Sequence, residues 1–314
     1  MKMLMAGAAL LLSASTLHAQ QIEWKQVQNT PKGLNLPQGI QLDILGITLG
    51  ESFDEVKPKF EKLLAEVQPA SKPAPPQNRV LSEAEIEMNV IANREAINRQ
   101  SSYQAHGGTG PAHVQESETV INYPVPGGNI QAKYVSVLTL VRATAGSGPR
   151  PIRDRIEARF SAPSSGRQLY AVTRSLTYYE QSDQPRVSEL MNRIVAKLRM
   201  QPQVLAGVGT VIYRFQFHNG QSVSPAGATF SSCSAQQAEG FSSASLRSIN
   251  ASGNCDVVFN VEVRHGISRD HAQLISFSLG DNERLKANLG TDYAYMQNYV
   301  RELLGRSRGA PPKL

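Results

Sequence analysis

Cysteine is nearly absent from this chain: Cys233 and Cys255 are the only two in 314 residues. A small disulfide-dense scaffold is thereby excluded, and so is a cysteine-built zinc module. Zinc needs about four ligands, and no histidine or further cysteine clusters near the pair. Beyond the N-terminus there is no apolar run long enough to cross a bilayer as a helix. There is also no basic run interleaved with aromatics and no nucleic-acid recognition motif, which argues against a nucleic-acid partner. Glycine-rich phosphate loops, dinucleotide fingerprints and calcium loops are missing at the spacings their mechanisms require, so no cofactor is expected.

What is present begins at the first residues. Lys2 precedes an apolar run from Met3 to about Ala14, and Leu17-His18-Ala19 places a small residue just before Gln20. This is the layout of a cleavable secretory signal over 1–19, with no cysteine behind it to accept a lipid anchor. The expected location is therefore the periplasm, with no integral membrane segment in the mature chain. In that oxidising compartment Cys233 and Cys255 are expected to form a disulfide. It would close a loop rich in Ser, Ala, Gln and Gly, and the chain-entropy model values such a closure at about 3 kcal/mol. Net charge is +6 on the full chain and +5 without Lys2. The lysines and arginines are spread along the length, a balance that suits loose contact with anionic envelope surfaces.

Residues 20–42, with Pro31, Gly33, Pro37 and Gly39, read as an irregular lead-in. Leu42, Ile44, Leu45 and Ile47 form a short apolar strand or turn. Ser52 and Glu55 have capping-box spacing, and Phe53, Val56, Phe60, Leu63, Leu64 and Val67 make one apolar helix face. Pro58 should bend the first turns of that helix, because it removes a bond to the Asp54 carbonyl. A proline-rich linker over 68–80 follows, then a second predicted helix over 83–99 opened by Ser82 and Glu85. Alternation sets in near Val120, with strands predicted over 130–141, 152–161 and 168–179 as an antiparallel meander. Pro185 opens a helix whose buried face is Val187, Leu190, Met191, Ile194 and Leu198. Strands follow around 211–217, 257–263 and 275–279, then a helix over 283–304 and a basic tail over 305–314. This order predicts an α+β class, with antiparallel sheets and helices packed on one face. It divides into two tandem helix-plus-sheet units, 43–180 and 183–304.

Candidate chemistry is sparse. Gly305-Arg306-Ser307-Arg308-Gly309 has the form of a nucleophile elbow but follows a helix, with no acid or histidine after it. His265 and His271 flank a predicted turn without a third metal ligand. Asp54, Glu55, Glu85 and Glu87 sit in opening helical turns, where capping accounts for them. His106 and His113 bracket a Gly/Pro loop, the one place where a dispersed hydrolase site is considered. Tyr178, Tyr179, Tyr293, Tyr295 and Tyr299 read as half-buried core-edge residues or a contact surface.

The segment Asp43-Ile44-Leu45-Gly46-Ile47-Thr48-Leu49-Gly50-Glu51-Ser52-Phe53-Asp54-Glu55-Val56 resembles the Gly-x-x-x-Gly-x-Ser-x-x-Glu-Val helix opening of exported proteobacterial proteins. It is also similar to the opening of the helix-plus-sheet domains in the barrel-assembly lipoprotein and β-lactamase inhibitor protein superfamily. Arg174 to Tyr179 followed by Val187 to Leu198 resembles the strand-to-helix step that begins a second unit in such proteins. The resemblance implies a non-catalytic module acting through protein contact, and it carries no site residue with it. The expected partner is another envelope protein, met through a sheet face or through the disulfide loop with Phe230 and Phe241. An exported hydrolase, or a small-ligand or lipid carrier with an apolar cavity between sheet and helices, is the alternative.

Overall fold

The computed structural model describes residues 20–28, 33–66, 112–125, 128–147, 150–223, 256–266 and 268–307. The predicted signal, the proline-rich linker, the helix over 83–99, His106, Phe230, Phe241 and both cysteines lie outside the described residues.

The first ordered step is a tight turn. Leu45 and Gly46 both have positive φ, 56° and 74°, while Ile44 and Ile47 bond across them. The Asp43 carboxylate accepts the Gly46 N–H at 2.9 Å. The turn drives Leu42, Ile44, Ile47 and Leu49 into the core. Helix α1, Phe53–Ala65, then starts from the predicted capping box, in which the Glu55 carboxylate accepts the Ser52 N–H at 2.8 Å. It runs unbroken through Pro58 and buries Phe53, Val56, Phe60 and Leu63. At its far end, Arg142 Nη1 donates to the Leu63 carbonyl at 2.8 Å, satisfying one of the acceptors that every helix terminus leaves open.

The strands are β1 (Gln20–Gln21), β2 (His113–Val125), β3 (Gly128–Thr144), β4 (Ile152–Phe160), β5 (Leu169–Thr177), β6 (Gln203–Ala206), β7 (Thr210–His218), β8 (Gln221–Ser222), β9 (Val257–His265) and β10 (Ala272–Asp281). Helix α2, Val187–Leu198, separates β5 from β6, and helix α3, Asn282–Ser307, ends the described chain. The α+β class is as expected, but the two predicted meanders do not form separate sheets. Neighbours run β2, β3, β4, β5, β10, β9, β7, β6, antiparallel throughout. β1 adds to β3 in parallel, and β8 adds to β7. The seam is β5 against β10, where the last strand of each predicted unit covers the open edge of the other. An unpaired edge is a template for aggregation, so this pairing removes two hazards at once.

One large core lies between the sheet and helices α1 and α2. Its strand residues include Ile156, Ala158, Phe160, Val172, Phe215, Phe217, Val261, Val263, Ile275 and Leu279. A second cluster gathers Ile22, Ile130, Ala132, Tyr170, Ala171, Leu285, Leu289 and Met296 around α3. Ala171 and Val172 are adjacent strand residues, so the two clusters lie on opposite sides of the sheet. A bulge makes this possible within one strand. β3 pairs Val137 with Ser117 and Val135 with Glu118, skipping Ser136. The extra residue reverses the alternation, so Leu138 and Leu140 join the first core while Ile130, Ala132 and Tyr134 join the second.

The lead-in is not wholly irregular. β1 begins at Gln20, Ile22 is buried, and Trp24 stacks on Tyr295 with ring centroids 5.7 Å apart. The last helix continues past the predicted Leu304 to Ser307. Among the described residues, no helix is long and apolar enough to cross a membrane.

Candidate functional site

Strand alternation that sends Val172, Arg174 and Leu176 toward the helices sends Thr173, Ser175 and Thr177 to the opposite face. Register then fixes what stands beside them. Thr139, Glu157 and Thr173 align across β3, β4 and β5, and the same row continues through Ser278, Asn260, Arg214 and Gln203. Seven consecutive strands contribute a polar side chain to this row. One step along, Arg155, Ser175, Ser276 and Glu262 form a second polar run.

The side chains bond laterally. Ser175 Oγ and Ser276 Oγ are 2.7 Å apart. Arg214 Nε donates to Asn260 Oδ1 at 3.0 Å, and Arg155 Nη2 donates to Glu157 Oε2 at 2.9 Å. Arg159 pairs with the other oxygen of Glu157. Partial burial lowers the Arg214 pKa from its usual value by desolvating the guanidinium. At the β7 and β6 end, Gln216 Nε2 and Gln203 Oε1 are buried without a hydrogen-bond partner among the described residues. Buried polar atoms are normally satisfied, so these two are exceptions in the covered end of the sheet and not contact points for a partner. Arginine outweighs acid here: Arg153, Arg155, Arg159, Arg214 and Arg264 stand against Glu157 and Glu262 on the face's strands. Among the described residues, helix α3 packs on this face against Ile130 and Ala132 as well as Tyr170 and Ala171. Thr139, Gln203 and Gln216 are buried, while Glu157, Thr173, Ser278, Asn260 and Arg214 are partly exposed, so the middle of the row forms a cross-bonded, arginine-rich surface suited to polar contact with a macromolecule.

No family model, curated protein or solved structure matches this chain.

The residues singled out by sequence scatter. His113 is the first residue of β2, paired with Val141 at one edge of the sheet, not part of a loop. His265 closes β9, and His271 Nδ1 lies 3.0 Å from Ser268 Oγ in the connecting turn. Among the described residues, no group of three or more His, Cys, Asp or Glu could hold a metal ion. Asp54 and Glu55 occupy the first turn of α1. Ser307 of the elbow-like string ends α3. Tyr293, Tyr295 and Tyr299 pack at the second core, while Tyr178 packs on the first.

Among the described residues, the histidine that meets a carboxylate is His218, to which the sequence attached no role. Its Nδ1 is 2.9 Å from Asp256 Oδ1, and its Nε2 is 3.0 Å from Asn219 Nδ2. An imidazole so engaged at both nitrogens orders the end of β7. Among the described residues it meets no hydroxyl nucleophile of the kind acyl transfer requires. The polar sheet face was legible as alternation within each strand. Its continuity across the seam was not, because nothing in a strand's own sequence states which distant strand it pairs with.

Proposed function

We propose that this chain is an exported, non-enzymatic protein-interaction module of the cell envelope, and that the open face of its sheet receives the partner. The observation that carries the reading is the polar row from Thr139 to Gln203 across seven strands, of which Glu157, Thr173, Ser278, Asn260 and Arg214 are partly exposed on a face that α1 and α2 do not touch. A rigid antiparallel sheet holds its side chains in fixed positions, which lowers the ordering cost of association. The arginine excess favours an acidic partner surface, both in encounter rate and in selectivity. The secretory layout of 1–19 and the helix-opening motif of 43–56 support the envelope assignment.

The test is site-specific photocrosslinking in intact cells, with the reactive residue placed at Thr173 on the open face or at Glu189 on the exposed outer side of α2. A recurrent envelope protein captured from Thr173 and not from Glu189 is the expected result. Equal capture from both positions, or none from Thr173, would remove the sheet face as the contact.

A further inference from the structure

On the opposite side of the molecule, beside α2, lies a groove of about 210 Å³. Leu190, Ile194 and Leu198 of α2 form one wall, the turn from Leu42 to Leu45 forms the other, and Phe259 and Phe277 make the floor. The two rings are nearly parallel, with centroids 6.5 Å apart, and each remains partly exposed. Aromatic rings on the core side of a sheet normally disappear under a helix. These two are left accessible because the turn and α2 stand apart above them.

Two further features mark the groove. Leu45 holds φ at 56° and is 37% exposed. Bulky side chains avoid this region of backbone space, where asparagine or glycine is the ordinary choice. The chain instead keeps a leucine there, with its apolar side chain at the groove mouth. The second feature is charge. Asp154, fully buried, is shared by two guanidiniums, Arg142 and Arg174. Arg174 donates to it through Nε and Nη2, both at 2.9 Å, and its Nη1 has no partner among the described residues. One carboxylate against two arginines leaves one positive charge in excess beneath the groove, and Arg174 belongs to its lining. Lys197 adds a second cation at the rim. Asp43 is the one acid in the lining, and its Oδ1 is engaged by the Gly46 N–H.

We propose that this groove binds a small amphiphile carrying one anionic head, its apolar chain lying over Phe259 and Phe277 and its head meeting Arg174 Nη1 and Lys197. The volume lies below the several hundred Å³ of drug-sized pockets, so the occupant is a single short chain or one ring. A medium-chain carboxylate has the right shape and charge. An unbalanced, partly desolvated guanidinium gains from an anion and loses from a cation.

Isothermal titration calorimetry of the full chain with octanoate, octanol and octylamine tests this. Octanoate is expected to bind, with octanol weaker and octylamine weaker than octanoate by about tenfold or more. Ile194→Trp fills the groove and should weaken octanoate by about tenfold. Lys197→Gln removes the charge of an exposed side chain in the last turn of α2 at a small cost to the helix, and it should weaken octanoate by about threefold. Absence of octanoate binding at millimolar concentration would overturn the proposal. So would octylamine binding as tightly as octanoate, or unchanged affinity in both variants with native circular dichroism.

Discussion

Single residues carry sharply different burdens here. Gly50 combines φ of 91° with the Arg284 guanidinium packed so close that an added Cβ would lie 2.8 Å from Cζ. Arg284 is itself buried and anchored to Asp281, Gln168 and the Gly33 carbonyl, so it cannot step aside. Gly50→Ala is therefore expected to cost about 1–3 kcal/mol in urea unfolding. Asp154 is more exacting. Removing it in Asp154→Ala leaves Arg142 and Arg174 facing each other without a counter-ion and should cost about 3–5 kcal/mol. Chemical denaturation would read this as a lowered midpoint. Asp292 has a pH signature. Burial pushes its carboxyl up to about 6, against the pull of bonds from Ser164, Ser165 and the Ala162 N–H. The folded state thus keeps a proton that the unfolded chain has already released. This contribution is present below about pH 4 and is lost as pH rises to about 6, a change of about 3 kcal/mol. Asp292→Asn should remove that slope from the pH dependence of stability, and an unaltered slope would refute the assignment.

At the scale of elements, what could be read from sequence was whatever depends on neighbours along the chain. The capping box at Ser52 and Glu55, the 3.6-residue face of α1 and α2, and the alternation of Tyr213, Phe215 and Phe217 are local patterns with local causes. β2 was not among the predicted strands, because Gln115, Glu116, Ser117 and Glu118 break the apolar alternation, as an edge strand with little to bury can do. The bulge at Ser136 likewise has no sequence mark, yet it decides which core Ile130 and Tyr134 enter. Phe60 shows how α1 is fastened: it is fully buried between helix and sheet. Phe60→Ala should cost about 3–5 kcal/mol, measurable as a lowered thermal midpoint.

For the whole molecule, the sequence led to the class but not to the union of its halves. Leu176 meets Ile275, and Arg174 meets Phe277, across roughly a hundred intervening residues; that pairing is set by tertiary geometry, with no local propensity to announce it. The same non-locality hid the candidate surface. Thr173 and Ser278 read separately as solvent-side strand positions, and only the seam makes them neighbours. The groove under α2 was hidden for a related reason, since Leu45, Arg174, Ile194 and Phe277 come from four separated segments.

The seam also sets the order in which the chain can become safe. A chain emerging N-terminus first can assemble β2 to β5 as soon as Thr177 is available, but the hydrogen-bonding edge of β5 then waits for a partner that begins only at Ala272. Throughout that interval an open strand faces other chains, so folding is a race between completion and self-association. A chain ended before Ala272 should therefore aggregate instead of yielding a free-standing first half. Light scattering of such a truncation beside the full chain would show it.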